Sequence, residues 1–178
     1  MLFDHVYYRR LRELHGGRLR MDVDVRQMDA RTLAFADDSF DLVYSSSVFE
    51  HIDGVDAAAA EIARVLKPDG VAWIQIHLFP SLSGGHILSW NDPSTPPSSP
   101  PPWDHLRART RRAHVYLNEL RGEDFLAAFR RHFGVVDSEF TTEGDNLVTD
   151  EIVAETGYSR ADLTRRNLLL TLTRPIRA

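Results

Sequence analysis

The stretch from Phe40 to Phe79, FDLVYSSSVFEHIDGVDAAAAEIARVLKPDGVAWIQIHLF, leaves this chain few folds to choose from. Phe40 to Tyr44 is a short β-branched and aromatic run behind the turn formers Asp37, Asp38 and Ser39, which predicts a buried strand ended by three serines. Val55, Ala58, Ala59, Ile62, Val65 and Leu66 then recur at helical spacing. Asp53 is placed to cap that helix, Asp56 lies in the first turn where the helix dipole favours a carboxylate, and Pro68 and Gly70 stop it. Val71 to Phe79 is apolar on both faces, as a strand in a covered parallel sheet should be. Strand, helix and strand in that order make a β-α-β unit, and hence an open α/β sheet.

The rest of the chain is consistent with one domain built around that unit. Its 178 residues suffice for a sizeable core. There is no cysteine, which removes disulfides and thiolate metal sites. No apolar run reaches membrane length and the N-terminus, MLFDHVYYRR, lacks a signal-peptide layout, so a cytoplasmic protein is expected. A net charge of −5 argues against nucleic acid as a partner, since phosphates call for a positive face.

The motifs within the opening stretch resemble the middle of a class I S-adenosylmethionine-dependent methyltransferase of the broad type 11-like family. Its members read D-x-F-D-x-V-x-S, then E-H, then R-V-L-K-P-G-G. Here these are Asp38, Phe40, Asp41, Val43 and Ser45, then Glu50 and His51, then Arg64, Val65, Leu66, Lys67, Pro68, Asp69 and Gly70. Only Asp69, where the family favours Gly, departs. The resemblance implies a three-layer Rossmann-like sheet and S-adenosylmethionine as cofactor.

Before this stretch, Leu2, Phe3, Val6, Tyr7, Leu11 and Leu14 predict an amphipathic helix over residues 3 to 15, and Val23 to Met28 reads as a strand with Asp29 at its carboxyl end. A carboxylate there is either a turn residue or, as the resemblance implies with Ala30 beside it, a partner of the adenine amino group. After it, residues 80 to 115 hold glycines, serines and a proline-rich run from Pro93 to Pro102, which predicts a long loop, either carrying specificity or simply a surface insertion. Gly122, Glu123 and Asp124 open a helix whose face is Phe125, Ala128, Phe129 and Phe133. Val135 to Thr141 reads as a strand. Ser159 and Asp162 form a capping box, and Leu168 to Thr173 is a last strand with a central place, antiparallel in the family's sheet.

A strand ending in a glycine-rich turn is missing, as is the following strand whose acidic end would hold the ribose. Gly16 and Gly17 follow a predicted helix, and Gly84 and Gly85 lie in the long loop. The sheet is therefore expected to lack its first two strands, as in a truncated member of the family. That leaves one edge of Phe40 to Tyr44 open unless Val23 to Met28 re-pairs onto it or another chain, such as a second copy, covers it.

Candidate chemistry falls into two groups. Asp29, Ala30, Ser45, Ser46, Ser47 and His51 lie where the resemblance puts the cofactor, although a structural role suits His51 and a capping or solvated role any one serine; Glu50 reads as a surface or capping group. His77, His86, Asp104 and His105 surround the long loop, where a histidine can act as a base, Asp104 can orient an imidazole and Trp103 can stack on a sugar or aromatic acceptor. Loop anchoring, with Trp103 in the core, is the alternative. Arg107 begins a basic run suited to an anionic acceptor or a solvated helix face. The spacing of these histidines matches no metal signature, so no metal is expected and a metal-dependent hydrolase is the lesser alternative.

The resulting expectation is methyl transfer from S-adenosylmethionine to a small-molecule or saccharide acceptor. The rival is a non-catalytic remnant or interaction module that keeps the sheet and has lost the cofactor pocket.

Overall fold

The computed structural model describes residues 26–86, 101–107, 113 and 115–176. The expected helix over residues 3 to 15, residues 23–25 of the expected strand and most of the proline-rich loop lie outside the described residues. Residues 26–28 form no strand; they lead irregularly into a turn at Ala30.

Four strands, β1 (Phe40–Ser46), β2 (Leu66–His77), β3 (Phe133–Thr142) and β4 (Arg165–Pro175), form one sheet in the order β1-β2-β4-β3. β1 and β2 are parallel, with Ser46 opposite Gln75, and β4 enters antiparallel between β2 and β3. The helices are α1 (Val55–Val65), α2 (Asp104–Arg107), α3 (Gly122–Arg130), α4 (Asp150–Thr156) and α5 (Arg160–Thr164). The α/β class, the β-α-β unit and the central, antiparallel last strand are as the sequence predicts.

One sheet face makes the main core. Ala72, Ile74 and Ile76 of β2 and Leu168, Leu170 and Leu172 of β4 are fully buried against Ala58, Ala59 and Ile62 of α1 and Phe125 and Phe129 of α3. Burying one such leucine contributes about 1.5–3 kcal/mol, which is why three in alternation hold β4 in the middle. On the alternate face Leu42 is 61 % and Tyr44 66 % exposed, with Tyr44 stacked flat on Trp73 at 5.1 Å. The outer edge of β1 has no partner strand among the described residues. A smaller core of Leu82, Trp103, Val148, Ile152 and Leu163 ties the loop after β2 to α4 and α5.

Two local expectations are corrected. α1 ends at Val65, and Pro68 and Gly70 lie within β2 rather than at a helix stop. Phe40 faces Leu66 but Leu42 faces Val71, so the intervening residues bulge out of the pairing, where a proline costs no ladder bond. Gly70 is required there, since a Cβ would stand 2.8 Å from Leu66 Cγ and 3.1 Å from the Asp41 carbonyl oxygen. Nor does Asp53 cap α1: the cap is Gly54 at φ +81°, a left-handed conformation that suits glycine. Asp53 instead faces Arg31 at 3.8 Å.

Candidate functional site

β1 and β2 end on the same edge of the sheet, β4 starts there and β3 finishes there, so Ser47, His77, Glu143 and Arg166 are brought to one rim. Ligands of open α/β sheets bind beyond the carboxyl ends of parallel strands.

Asp29 is delivered to the α1 side of that rim by a latched loop. Arg64, from the R-V-L-K-P run, bonds the Leu33 carbonyl at 2.9 Å, the Phe35 carbonyl at 2.8 Å and Asp37 at 2.7 Å, while Glu61 accepts from the Leu33 N–H. Lys67 pairs with Asp41 at 2.8 Å. The motif charges Arg64, Lys67, Asp37 and Asp41 thus fasten the loop and β1 to the β-α-β unit. Asp29 itself is exposed and accepts from the Arg31 backbone and guanidinium; this holds its carboxyl down to about 2. It is ionised throughout the neutral range, and each of its oxygens already takes two contacts from Arg31, the Nε–H being shared between both, so a further donor would displace part of that shared bond. Ala30 packs against the core.

The serines at the end of β1 differ in surroundings. Ser45 is half-buried, Ser46 Oγ donates to Gln75 Oε1 at 3.3 Å, and Ser47, at φ +52°, is exposed while its N–H is taken by the Gln75 carbonyl. The turn Phe49–His51 follows and is strapped from outside. Asn118 Nδ2 donates to the carbonyls of Phe49 and Ile52 at 2.8 and 3.1 Å. His51 Nδ1 lies 2.8 Å from the Tyr116 carbonyl. A carbonyl only accepts, so Nδ1 carries the proton and Nε2 presents its lone pair.

Three histidines meet here. His86 stacks on His77 at 4.9 Å and edges onto His51 at 5.0 Å. The loop after β2 brings His86 back because Gly84 and Gly85 lie against its start. A methyl on Gly84 would overlap the Leu78 and Phe79 carbonyls, and one on Gly85 would stand 2.5 Å from His105 Cγ. His86 is itself held at φ +51°. His77 Nε2 bonds Ser83 Oγ at 2.8 Å, and Ser83 donates in turn, by hydroxyl and backbone N–H, to Glu143. Burial pushes His77 down to about 3, with the neighbouring His86 adding to the effect, and burial lowers His86 as well. Both imidazoles are therefore neutral at pH 7 and offer lone pairs rather than charge.

Glu50 is not the surface group its sequence position suggests. It is 2 % exposed, neither carboxylate oxygen has a hydrogen-bond partner, and burial pushes its pKa above the usual carboxylate range. Its nearest cationisable group is His51 Nε2, 4.0 Å away.

The remaining candidates serve the loop. Trp103 is fully buried in the smaller core, so its ring presents no open face for stacking. His105 is buried, donates Nε2–H to the Phe79 carbonyl at 2.9 Å and packs edge-on against the Phe79 ring. Asp104 is buried beside it at the start of α2. Arg107 is engaged by Glu155. Of the expected catalytic set, the structure brings His77 and His86 together, adds His51 to them and leaves Asp104 and His105 behind the glycines. Glu143, which clamps Ser83 and faces Arg166 at 3.4 Å, was not foreseen. No sequence signal marks it, because an acid before a glycine in a polar run reads as a turn.

The family described as "Methyltransferase domain" matches residues 6–74. A demethylmenaquinone methyltransferase of Lactobacillus johnsonii is 36 % identical over 59 residues, 33 % of this chain and 24 % of that protein. A ubiquinone biosynthesis O-methyltransferase of Brucella ovis is 31 % identical over 62 residues, 35 % of this chain and 25 % of that protein. The match thus spans about a quarter of the length of those curated relatives. Among solved structures, an S-adenosylmethionine dependent methyltransferase from Mesorhizobium loti superposes with TM-score 0.53 at 18 % identity, covering 89 % of this chain and 74 % of that one. The cyclase SpnF superposes at TM-score 0.51 and 19 % identity, over 94 % and 62 %. These two likenesses concern the fold alone.

Proposed function

We propose that this chain, whose residues 6–74 match a methyltransferase domain and whose fold is shared with an S-adenosylmethionine dependent methyltransferase, binds S-adenosylmethionine at the rim and directs methyl transfer to a small-molecule or saccharide acceptor. The observation that carries this reading is the convergence at one sheet rim of Asp29, the serines at the end of β1 and the histidines His51, His77 and His86. The cofactor supplies an electrophilic methyl group on a sulfonium.

The residues present fit one side of that cofactor. Asp29, fixed by Arg31, is ionised and suited to accept from an exocyclic amine, with Ala30 and the Ser45–Ser47 backbone beyond it. Ahead of β1 the given sequence offers two glycines, Gly16 and Gly17, towards the methionyl and ribose portions. On the acceptor side, His77 and His86 are kept uncharged, so they can take a hydrogen bond from an acceptor hydroxyl and aim its oxygen. With a conjugate acid near 3, His77 is too weak a base to hold a proton, and its role is to orient. Aligning the nucleophile in line with the methyl group is the larger part of the catalysis.

A second reading, a methyltransferase fold that no longer catalyses, is favoured by one observation: Asp29 already spends most of its acceptor capacity on Arg31. Calorimetric titration with S-adenosylhomocysteine separates the two. The first reading expects saturable binding that weakens about tenfold or more in Asp29→Ala, the loss of one charge-assisted hydrogen bond. No heat at millimolar ligand would establish the second.

A further inference from the structure

We propose that Glu50, His51 and His86 form a divalent transition-metal site, with Zn2+ the ion their donor set suits best. One ligand atom from each lies within 4.8 Å of the other two. Two imidazoles and one carboxylate are a borderline donor set of the kind zinc takes, with a fourth position left for water or substrate. Bonds of about 2.0–2.1 Å in tetrahedral arrangement put ligand atoms about 3.3 Å apart, so side-chain rotations that close at most about 1.5 Å complete the site.

Four independent features point to a cation here. Glu50 is 2 % exposed and neither of its oxygens has a hydrogen-bond partner. A carboxylate left so is costly unless something positive meets it. His86 Nε2 is likewise buried and without a partner. His51 Nδ1 donates to the Tyr116 carbonyl, which turns the Nε2 lone pair towards Glu50 and is the outer contact that metal-binding histidines characteristically make. Finally, His86 is held at φ +51°, a conformation unfavourable for a side chain-bearing residue, by glycines packed too closely for any methyl.

The ion would stand between the turn after β1 and the loop after β2, beside His77. There its open position could take the oxygen of an acceptor and lower that oxygen's proton affinity. That last use rests on the proposed methyl transfer; binding of the ion does not.

The test is titration of the full chain, stripped with chelator, with Zn2+ by calorimetry and with Co2+ by visible absorption, in the absence of any methyl donor. One ion per chain is expected, with Co2+ bands of a four- or five-coordinate site. Glu50→Gln and His86→Gln should each weaken binding at least tenfold, while His105→Gln, a buried histidine outside the set, should not. Glu50→Gln is isosteric and removes a buried charge, so it should fold, and Zn2+ should raise the melting temperature of the wild type but not of this variant. Absence of uptake, or equal affinity in wild type and Glu50→Gln, would overturn the site. Because no methyl donor is present, that result would leave the transferase reading standing, and failure of S-adenosylhomocysteine to bind would leave the metal site standing.

Discussion

His105 lies 4 % exposed behind Gly85, with Nε2–H given to the Phe79 carbonyl, and burial lowers it to about 4 from an ordinary 6.5. Between those values the unfolded chain binds a proton that the folded chain refuses. The stability tied to this residue is therefore complete above about pH 6.5 and is lost as the pH falls towards 4, at a slope of up to about 1.4 kcal/mol per pH unit. In His105→Gln that slope should be shallower by close to one proton, read by urea unfolding at several pH values across the window. An unchanged slope would mean that His105 is solvated. Individual side chains are also where sequence reading reached least far. Glu50 and Glu143 are buried among groups that arrive from elsewhere, Asn118 at the turn that holds Glu50 and Ser83 and Arg166 at Glu143, which their own neighbours along the chain do not announce. Trp103 was open to two readings because an aromatic in a proline-rich loop can face either way, and the packing of Val148, Ile152 and Leu163 decided it.

Elements were far more legible, for a physical reason: their signals are local. α5 illustrates this. Ser159 Oγ accepts from the Asp162 N–H at 3.1 Å and the Asp162 carboxylate accepts from the Ser159 N–H at 3.2 Å, the reciprocal pair that a serine and an acid three apart predict. Ser159→Ala should cost about 1 kcal/mol by thermal unfolding, with little change at the rim. A loss under a few tenths would show that the box contributes nothing to α5. α4 escaped notice because its seven residues bury only Ile152 and show no stripe. Pro68 and Gly70 are helix breakers by propensity and so point to a helix end, yet the bulge gives them a place inside β2. Pairing partners across the sheet supply that information, and they are distant in sequence.

At the scale of the whole molecule the exposed face and edge of β1 matter most. Leu42 and Tyr44 are exposed, and the backbone beside them, without a partner strand among the described residues, is a template for another strand. Replacing both by Lys should shift sedimentation towards the 20.3 kDa monomer without lowering the melting temperature by more than about a degree or two, since neither supports the core. A wild-type chain already monomeric, with fast amide exchange along β1, would show that no second copy covers this edge.

The position of β4 carries a consequence for how the chain is made. It is the last of the four described strands to be synthesised, yet among the described residues it alone joins β2 to β3. Until Arg165–Pro175 emerge, the nascent chain holds a parallel pair at one end and a lone strand at the other, with Ala72, Ile74 and Ile76 facing no leucines. Sheet closure must therefore wait until β4 has been made, leaving a sticky intermediate within reach of chaperones. A chain clipped by a dozen residues at its C-terminus would never pass beyond that intermediate.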